Sequence, residues 1–279
     1  PLSFAITGAN GRASIRPTAN TVTGSYTMTA SVAGIASTAL FNLTNTAGAP
    51  ASVSLVSGSP QSATINTAFG APLLVVVRDT FGNAVPGATV TFSAPGSGAS
   101  STLTAAAVTN ALGQTQVTPT ANATAGAYNV TASVAGVVTP VTFALTNTAG
   151  APASISVVSG TPQSTVVNTA FAQPLVVVVR DVGNNPVSGV AVTFTPPGAG
   201  ASAAITGTTT TNAAGQVSVT ATANTVAGGP FTVTASVDTW VMSVAETSSM
   251  ISPDTASVSP GVTHVSAGGA RSIVPGPGP

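Results

Sequence analysis

The sequence repeats itself at an offset of 102 residues, and this repeat limits the folds that the chain can adopt. Residues 44–52 recur unchanged as residues 146–154, and the same offset carries Arg78 to Arg180. The register holds without a gap as far as the loop after Gly126. A length of about 100 residues is typical of one small, independently folding domain. The repeat therefore predicts a series of similar small domains.

Extending the offset in both directions divides the chain into four predicted segments. They are the C-terminal half of a truncated repeat (1–46), a complete repeat (47–148), a repeat with a degenerate last strand (149–239) and an irregular, disordered tail (240–279). The tail is rich in Ser, Pro and Gly, although residues 240–244 offer a substitute last strand. The link at residues 146–152 is short and contains proline, which favours a semi-rigid rod.

Apolar and polar residues alternate through nearly every segment of a repeat. In one segment Tyr128, Val130 and Ala132 share a face, whereas Asn129 and Thr131 share the other. A period of two is typical of strands with one buried face, and no sustained 3.6-residue apolar stripe indicates a helix. Alternating strands with turn signals every 8–12 residues or so predict an all-β fold of tandem immunoglobulin-like β-sandwiches. An up-and-down barrel has the same period and is the alternative.

Acidic residues are so scarce that those following the valine-rich strands stand out as candidate metal ligands. The five acids are Asp79, Asp181, Asp238, Glu246 and Asp254. Ca²⁺ takes about 6–8 oxygen ligands, usually from several carboxylates, so we expect no metal site. We expect instead that the carboxylates of Asp79 and Asp181 accept backbone N–H bonds in the Gly–Asn turns that follow them. Arg78 and Arg180 are expected on the outer face beside those turns.

The composition argues against catalysis. The chain has no cysteine and one histidine, His264, in the predicted tail; its five basic residues are all arginine. Nucleophilic catalysis needs a base beside the nucleophile, and glycoside hydrolysis needs paired carboxylates. We therefore predict a non-enzyme with no catalytic, cofactor-binding or metal-binding residues. Phe69, Phe92, Tyr128 and Phe143 are predicted to fill the core; Tyr26 and Tyr128 offer a tyrosine corner as the alternative role.

Charge and hydropathy exclude two classes of partner. Charged residues are 4% of the chain and the formal net charge is zero, so no basic stripe attracts nucleic acid. No apolar run approaches the roughly 20 residues that span a bilayer. The chain begins at Pro1, which suggests a fragment or a processed product, so the lack of an export signal carries no weight.

Four ordered motifs resemble the bacterial Ig-like group 1 family, the tandem domains of invasin- and intimin-type adhesins. They lie at residues 76–83, 85–92, 109–114 and 130–134, and they recur from Val178 to Val237. The resemblance covers about residues 1–239 and implies sandwiches of seven or more strands in a surface-exposed stalk without an active site. The second copy departs at Gly183-Asn184-Asn185, which suggests a turn shifted by one position.

The expected function is that of structural stalk or spacer repeats in a bacterial cell-surface or secreted adhesin-like protein, anchored in the outer membrane through regions outside this chain. The expected partners are neighbouring repeats, with a host receptor or glycan bound through other domains. One alternative is a glycan- or receptor-binding module that uses the loops at residues 96–100 and 198–202. Another is a self-assembling filament, since residues 1–46 are expected to present an uncovered apolar face.

Overall fold

A computed structural model describes residues 4–237 and 240–242 of the chain. All of the regular structure in these residues is β-strand, in nineteen strands. No helix in the described part of the chain is long and apolar enough to cross a membrane. The prediction of an all-β fold of tandem sandwiches is confirmed, because the strands form paired sheets around two separate hydrophobic cores.

The first strands form an isolated hairpin. It consists of β1 (Gly24–Ala30) and β2 (Ala39–Asn45). The two strands are antiparallel, and Met28 lies opposite Phe41. None of the described residues before residue 47 is buried, and Phe41 is 56% exposed. This hairpin thus carries the apolar residues of a sandwich core without a second sheet to cover them.

The next ten strands form what we call the first sandwich. They are β3 (Ser52–Ser57), β4 (Gln61–Thr64), β5 (Leu73–Arg78), β6 (Thr89–Ser93), β7 (Ser101–Thr102), β8 (Ala106–Val108), β9 (Gln114–Val117), β10 (Thr120–Ala121), β11 (Gly126–Val134) and β12 (Val141–Thr148). One sheet has the order β3-β5-β9 and the facing sheet the order β4-β12-β11-β6-β8, with β10 and β7 forming a small extra pair. Strand β4 pairs with β12 in parallel, and the other pairs are antiparallel.

The two sheets of the first sandwich enclose one apolar core. Phe69, Phe92 and Phe143 are buried, as predicted, and the rings of Phe92 and Phe143 lie 6.4 Å apart between centroids. Tyr128 packs at the margin of the core and is half-buried. Its hydroxyl has no hydrogen-bond partner among the described residues, so no tyrosine corner forms, and burial raises the pKa of Tyr128.

The last seven strands form the second sandwich. They are β13 (Ser154–Ser159), β14 (Leu175–Arg180), β15 (Thr193–Thr195), β16 (Ala203–Gly207), β17 (Gln216–Ala223), β18 (Thr234–Val237) and β19 (Trp240–Met242). The sheet orders are β13-β14-β17-β16 and β15-β18-β19. Strand β13 keeps the register and bulge of β3, since Ser154 pairs with Arg180 as Ser52 pairs with Arg78.

The segment predicted as an irregular tail begins with a strand. Trp240–Met242 pairs antiparallel with β18, and Trp240 lies opposite Val237. Residues 243–279, among them His264, Glu246 and Asp254, lie outside the described residues, as does Asp238.

Candidate functional site: the junction between repeats

A turn at the end of β5 is organised by one carboxylate. Asp79 Oδ1 accepts hydrogen bonds from the backbone N–H groups of Phe81 and Asn83, both at 2.9 Å. Its Oδ2 accepts one from Gly48, in the link that enters the first sandwich, at 3.0 Å. The prediction that Asp79 accepts backbone N–H bonds is therefore confirmed, and the carboxylate additionally ties the incoming link to the turn.

The turn after β14 repeats this arrangement. Asp181 accepts from Gly183 at 2.9 Å, from Asn185 at 2.8 Å and from the link residue Gly150 at 2.8 Å. Asn184 takes the left-handed conformation (φ 63°) that Gly82 takes in the first turn (φ 84°). The predicted one-position shift is therefore wrong: asparagine, which tolerates positive φ, replaces the glycine and the turn stays in register.

An asparagine side chain extends each turn to the backbone of the preceding segment. The Asn185 Nδ2 group donates to both carboxylate oxygens of Asp181 at 3.0 Å and to the carbonyl oxygen of Ala123 at 2.8 Å. Asn185 Oδ1 in turn accepts from the backbone N–H of Ala125 at 2.9 Å. One amide thus satisfies a backbone acceptor and a backbone donor of the first sandwich, much as a neighbouring strand does.

The same contacts occur at the first turn. Asn83 Nδ2 donates to Asp79 Oδ2 at 2.9 Å and to the Thr21 carbonyl oxygen at 2.8 Å. Asn83 Oδ1 accepts from the Thr23 backbone N–H at 3.3 Å. We call this arrangement of an aspartate and the asparagine four residues later the Asp–Asn clamp. It occurs at both junctions that the described residues contain.

The loop that the second clamp grips is held in shape by other asparagines. Asn122 Oδ1 accepts from the backbone N–H groups of Ser100 and Thr124, and its Nδ2 donates to the Gly98 carbonyl oxygen at 2.8 Å. Asn147, which is 2% exposed, donates to Asn122 Oδ1 and to the carbonyl oxygen of Thr124. The loop that the second clamp binds, which we call the acceptor loop, is therefore held in shape by hydrogen bonds within the first sandwich.

Hydrogen bonds stabilise the ionised form of both clamp carboxylates. The Asn83 amide and then the backbone N–H groups, against the opposing effect of burial, lower the pKa of Asp79 to about 2 from 3.8. Burial opposes ionisation at Asp181 too, but the N–H of Gly150 and the amide of Asn185 leave its pKa lowered. An ionised carboxylate accepts hydrogen bonds only, which matches a site surrounded by donors.

The two arginines beside the turns do not pair with the clamp carboxylates. Arg78 Nη1 donates to the carbonyl oxygen of Gly82 at 2.7 Å, and Arg180 Nη1 donates to that of Asn184 at 2.8 Å. Within the part of the chain that the structure describes, no three His, Cys, Asp or Glu side chains come together. The clamp oxygens face N–H groups, so the chemistry of this site is hydrogen bonding to backbone.

Each loop proposed for glycan binding ends in a serine that hydrogen-bonds within its own sandwich. Ser100 Oγ donates to the Pro95 carbonyl oxygen at 2.6 Å, and Ser202 Oγ donates to that of Pro197 at the same distance. Neither 96–100 nor 198–202 contains an aromatic residue on which a sugar could stack.

Sequence reasoning did not find Asn83, Asn185, Asn122 or Asn147 as site residues. The signal that was available is their recurrence at the repeat offset: Asn83 matches Asn185, and Asn122 matches Asn224. That pattern could have drawn attention to them, but the bonding partners lie far away in sequence.

Comparison with known proteins identifies the complete repeat. Residues 53–146, which include the first clamp turn and Asn122, match the sequence model of the bacterial Ig-like domain (group 1) family. The first sandwich is a group 1 bacterial Ig-like domain. The second sandwich repeats the strand register, the bulge and the clamp of this Ig-like domain at the 102-residue offset.

Solved structures of adhesins are similar to this chain at low sequence identity. The Escherichia coli adhesin FdeC is 20% identical with a TM-score of 0.44, over 83% of this chain and 75% of that chain. Yersinia pseudotuberculosis InvD is 19% identical with a TM-score of 0.47, over 75% of this chain and 60% of that one. Invasin, an integrin-binding protein, is 22% identical with a TM-score of 0.32, over 71% and 39%. The comparison with curated proteins gives no match.

Proposed function

We propose that this chain is a stalk of Ig-like spacer repeats from a bacterial adhesin-like surface protein, divided into segments 1–46, 47–148, 149–239 and 240–279. The observation that carries the proposal is the recurrence of one clamp at both described junctions. A spacer needs each unit to be set on the last in a defined way, and a repeated junction provides this for any number of units.

The chemistry of the clamp suits a repeated junction. The hydrogen bonds of Asn185 to the preceding sandwich go to backbone atoms, Ala123 O and Ala125 N, so they do not depend on the side chains of that loop. These hydrogen bonds are partly buried, and they resist separation because breaking them leaves polar groups with fewer partners. The clamp therefore fixes geometry in a chain with 4% charged residues and few ion pairs to use.

The link between units is part of the same network. Gly48 and Gly150 donate their N–H groups to the clamp aspartates, so the short connection is bound to the unit that follows it. A pulling force along the chain then acts on the hydrogen-bonded turn, and little slack is available in the link. This property supports a mechanical role over a loose tether.

The remaining parts of the proposal follow from the spacer role. The chain would lie outside the bacterial cell, anchored in the outer membrane and joined to a receptor- or glycan-binding region through segments that it does not contain. Its direct partners are neighbouring Ig-like repeats. Catalysis has no place in this role, and the two buried carboxylates are used to hold the turns.

Small-angle X-ray scattering tests the spacer proposal. We expect an extended particle for the full chain. For an Asn83→Ala/Asn185→Ala double variant we expect a smaller maximum dimension and a less sharply defined distance distribution. The circular dichroism spectra of the two proteins should be the same. Asn129→Ala is the matched control, because Asn129 is exposed on β11. A double variant with the same scattering curve as the unmodified chain would contradict the proposal.

Self-association is a second candidate function, favoured by the exposed hairpin. Leu40 and Phe41 are 65% and 56% exposed on β2, and the outer edges of the hairpin have no strand partner among the described residues. Unpaired strand edges and apolar faces promote association between chains. Light scattering coupled to size-exclusion chromatography decides this: an oligomer that Phe41→Ser dissociates supports it, and a monomer at all concentrations excludes it.

A further inference from the structure

The two clamp turns differ at several positions, and one of them lies two residues after the aspartate: it is Phe81 in the first turn and Gly183 in the second. The backbone does not require glycine there, because φ at Gly183 lies outside the left-handed region in which Gly82 and Asn184 are found. The equivalent turn accommodates phenylalanine with the same hydrogen bonds to its aspartate. Glycine at 183 is therefore explained by space and not by conformation.

The space beside Gly183 is filled by the preceding sandwich. A Cβ atom there would overlap the carbonyl oxygen of Ala123, and it would stand 2.7 Å from Asn185 Nδ2. This oxygen is the one that accepts the Asn185 hydrogen bond. A side chain at position 183 would therefore require this oxygen or the turn to shift, although beside Phe81 the equivalent bond, from Asn83 Nδ2 to the Thr21 carbonyl oxygen, has the same length of 2.8 Å.

The first junction shows what a side chain at this position does. Phe81 is 66% exposed, so its ring does not pack into the junction. The bond from the Thr23 N–H to Asn83 Oδ1 is 3.3 Å long, against 2.9 Å from the Ala125 N–H to Asn185 Oδ1.

An apolar contact lies beside the link at the second junction. Gly150 lies against the side chain of Ile65, which is 4% exposed at the end of the first sandwich, and a Cβ on Gly150 would stand 3.5 Å from it. The link thus contacts both sandwiches at this junction.

We infer that the residue two positions after the clamp aspartate sets how closely consecutive repeats dock: glycine at 183 gives a closed joint, and phenylalanine at 81 gives an open one. This inference deepens the proposed spacer function, because it places the stiff and the compliant joints along the stalk. In a chain of such repeats, one turn residue at each junction would then determine how stiff that junction is.

Amide hydrogen exchange followed by NMR on the full chain tests the inference. The Ala125 N–H reports on the closed joint and the Thr23 N–H on the open one, because each donates to a clamp asparagine. In Gly183→Phe we expect Ala125 to exchange about tenfold faster, the factor that corresponds to losing roughly one hydrogen bond. In Phe81→Gly we expect Thr23 to exchange more slowly.

Two further variants guard against a general loss of folding. Gly183→Ala adds one methyl group at the same position and should also accelerate Ala125. Gly198→Ala, a glycine of the second sandwich with open space around it, should leave Ala125 unchanged. The core amides of Val217 and Val219 should stay protected in every variant. Unchanged exchange at Ala125 in both Gly183 variants overturns the inference.

This test is separable from the test of the spacer role. If the double asparagine variant leaves scattering unchanged but Gly183→Phe exposes the Ala125 amide, the spacer proposal fails and the role of the turn residue stands. If the double variant makes the extended particle more compact but the exchange rate of the Ala125 amide does not change in the Gly183 variants, the inference fails and the spacer proposal stands.

Discussion

Asn185 and Ala125 are sixty residues apart in the chain, and the side-chain oxygen of the first accepts the backbone N–H of the second at 2.9 Å. With the reciprocal bond from Asn185 Nδ2 to the Ala123 carbonyl oxygen, this amide completes the hydrogen bonding of a loop in the preceding sandwich. A single polar side chain, oriented by a buried carboxylate, thus joins two separately packed cores.

Replacing Asn185 by alanine should weaken the junction from both sides. Ala123 O, Ala125 N and the Asp181 carboxylate all lose a partner, and leaving buried polar groups unpaired costs about 1–3 kcal/mol. Urea unfolding of the full chain should show a loss of that size for Asn185→Ala. The exposed strand residue Asn129, changed to alanine, should alter the free energy of unfolding by less than about 0.5 kcal/mol. Equal losses in the two variants would contradict the role given to Asn185.

Truncating Phe92 should destabilise the first sandwich strongly. Its side chain is 2% exposed and packs against Phe143, and emptying such a site costs about 3–5 kcal/mol. Phe81 is 66% exposed, so Phe81→Ala should change the free energy of unfolding only slightly. Denaturant melts of the two variants provide the comparison, and a loss below about 1 kcal/mol for Phe92→Ala would place the ring outside the core.

Acid should weaken the first clamp in a defined pH range. The folded-state pKa of Asp79 is about 2, below the ordinary value of 3.8, so its contribution to stability is complete above 3.8 and is lost as pH falls towards 2. The denaturation midpoint should therefore fall over this interval. Asp79→Asn, which cannot ionise, should be less stable at pH 7 and should show a smaller decline on acidification. The same acid dependence in both proteins would exclude Asp79 as its source.

Gly113 should not tolerate a side chain. Its φ is 70°, and a Cβ would stand 2.6 Å from the Val77 carbonyl oxygen, which belongs to the strand that leads into the clamp. Gly113→Ala should cost about 1–3 kcal/mol through backbone strain and displacement of that strand. Gly70→Ala is the control, because no neighbouring atom lies within 4 Å of its added Cβ. Thermal melts of the two variants should separate clearly, and similar melting temperatures would contradict the close approach.

The fold class could be predicted from the sequence because it depends on the pattern of neighbouring residues along each strand. Alternation such as Tyr128, Val130 and Ala132 places these side chains on one face of the strand, and the second sheet of the sandwich buries Val130 and Ala132 completely. The role of Asp79 was predictable for the same reason, since two of its donors lie within four residues. Both predictions needed only near neighbours.

The junction was not accessible in this way. The partners of Asn185 lie 60 and 62 residues upstream, and nothing in the local pattern distinguishes this asparagine from others in a turn. The predicted shift of the turn is wrong because the left-handed residue is Asn184 and not the neighbouring Gly183. Glycine at 183 serves a contact with another domain, which becomes visible only when both domains are placed.

The distance between two spin labels on consecutive sandwiches tests the central claim most directly. The chain has no cysteine, so cysteines introduced at the exposed positions Thr139 and Ser188 can be labelled without background. A single narrow distance distribution, which Asn185→Ala broadens, is the result that a clamped junction predicts. A broad distribution in the unmodified chain, unaffected by Asn185→Ala, would show that the sandwiches are flexibly tethered and would contradict it.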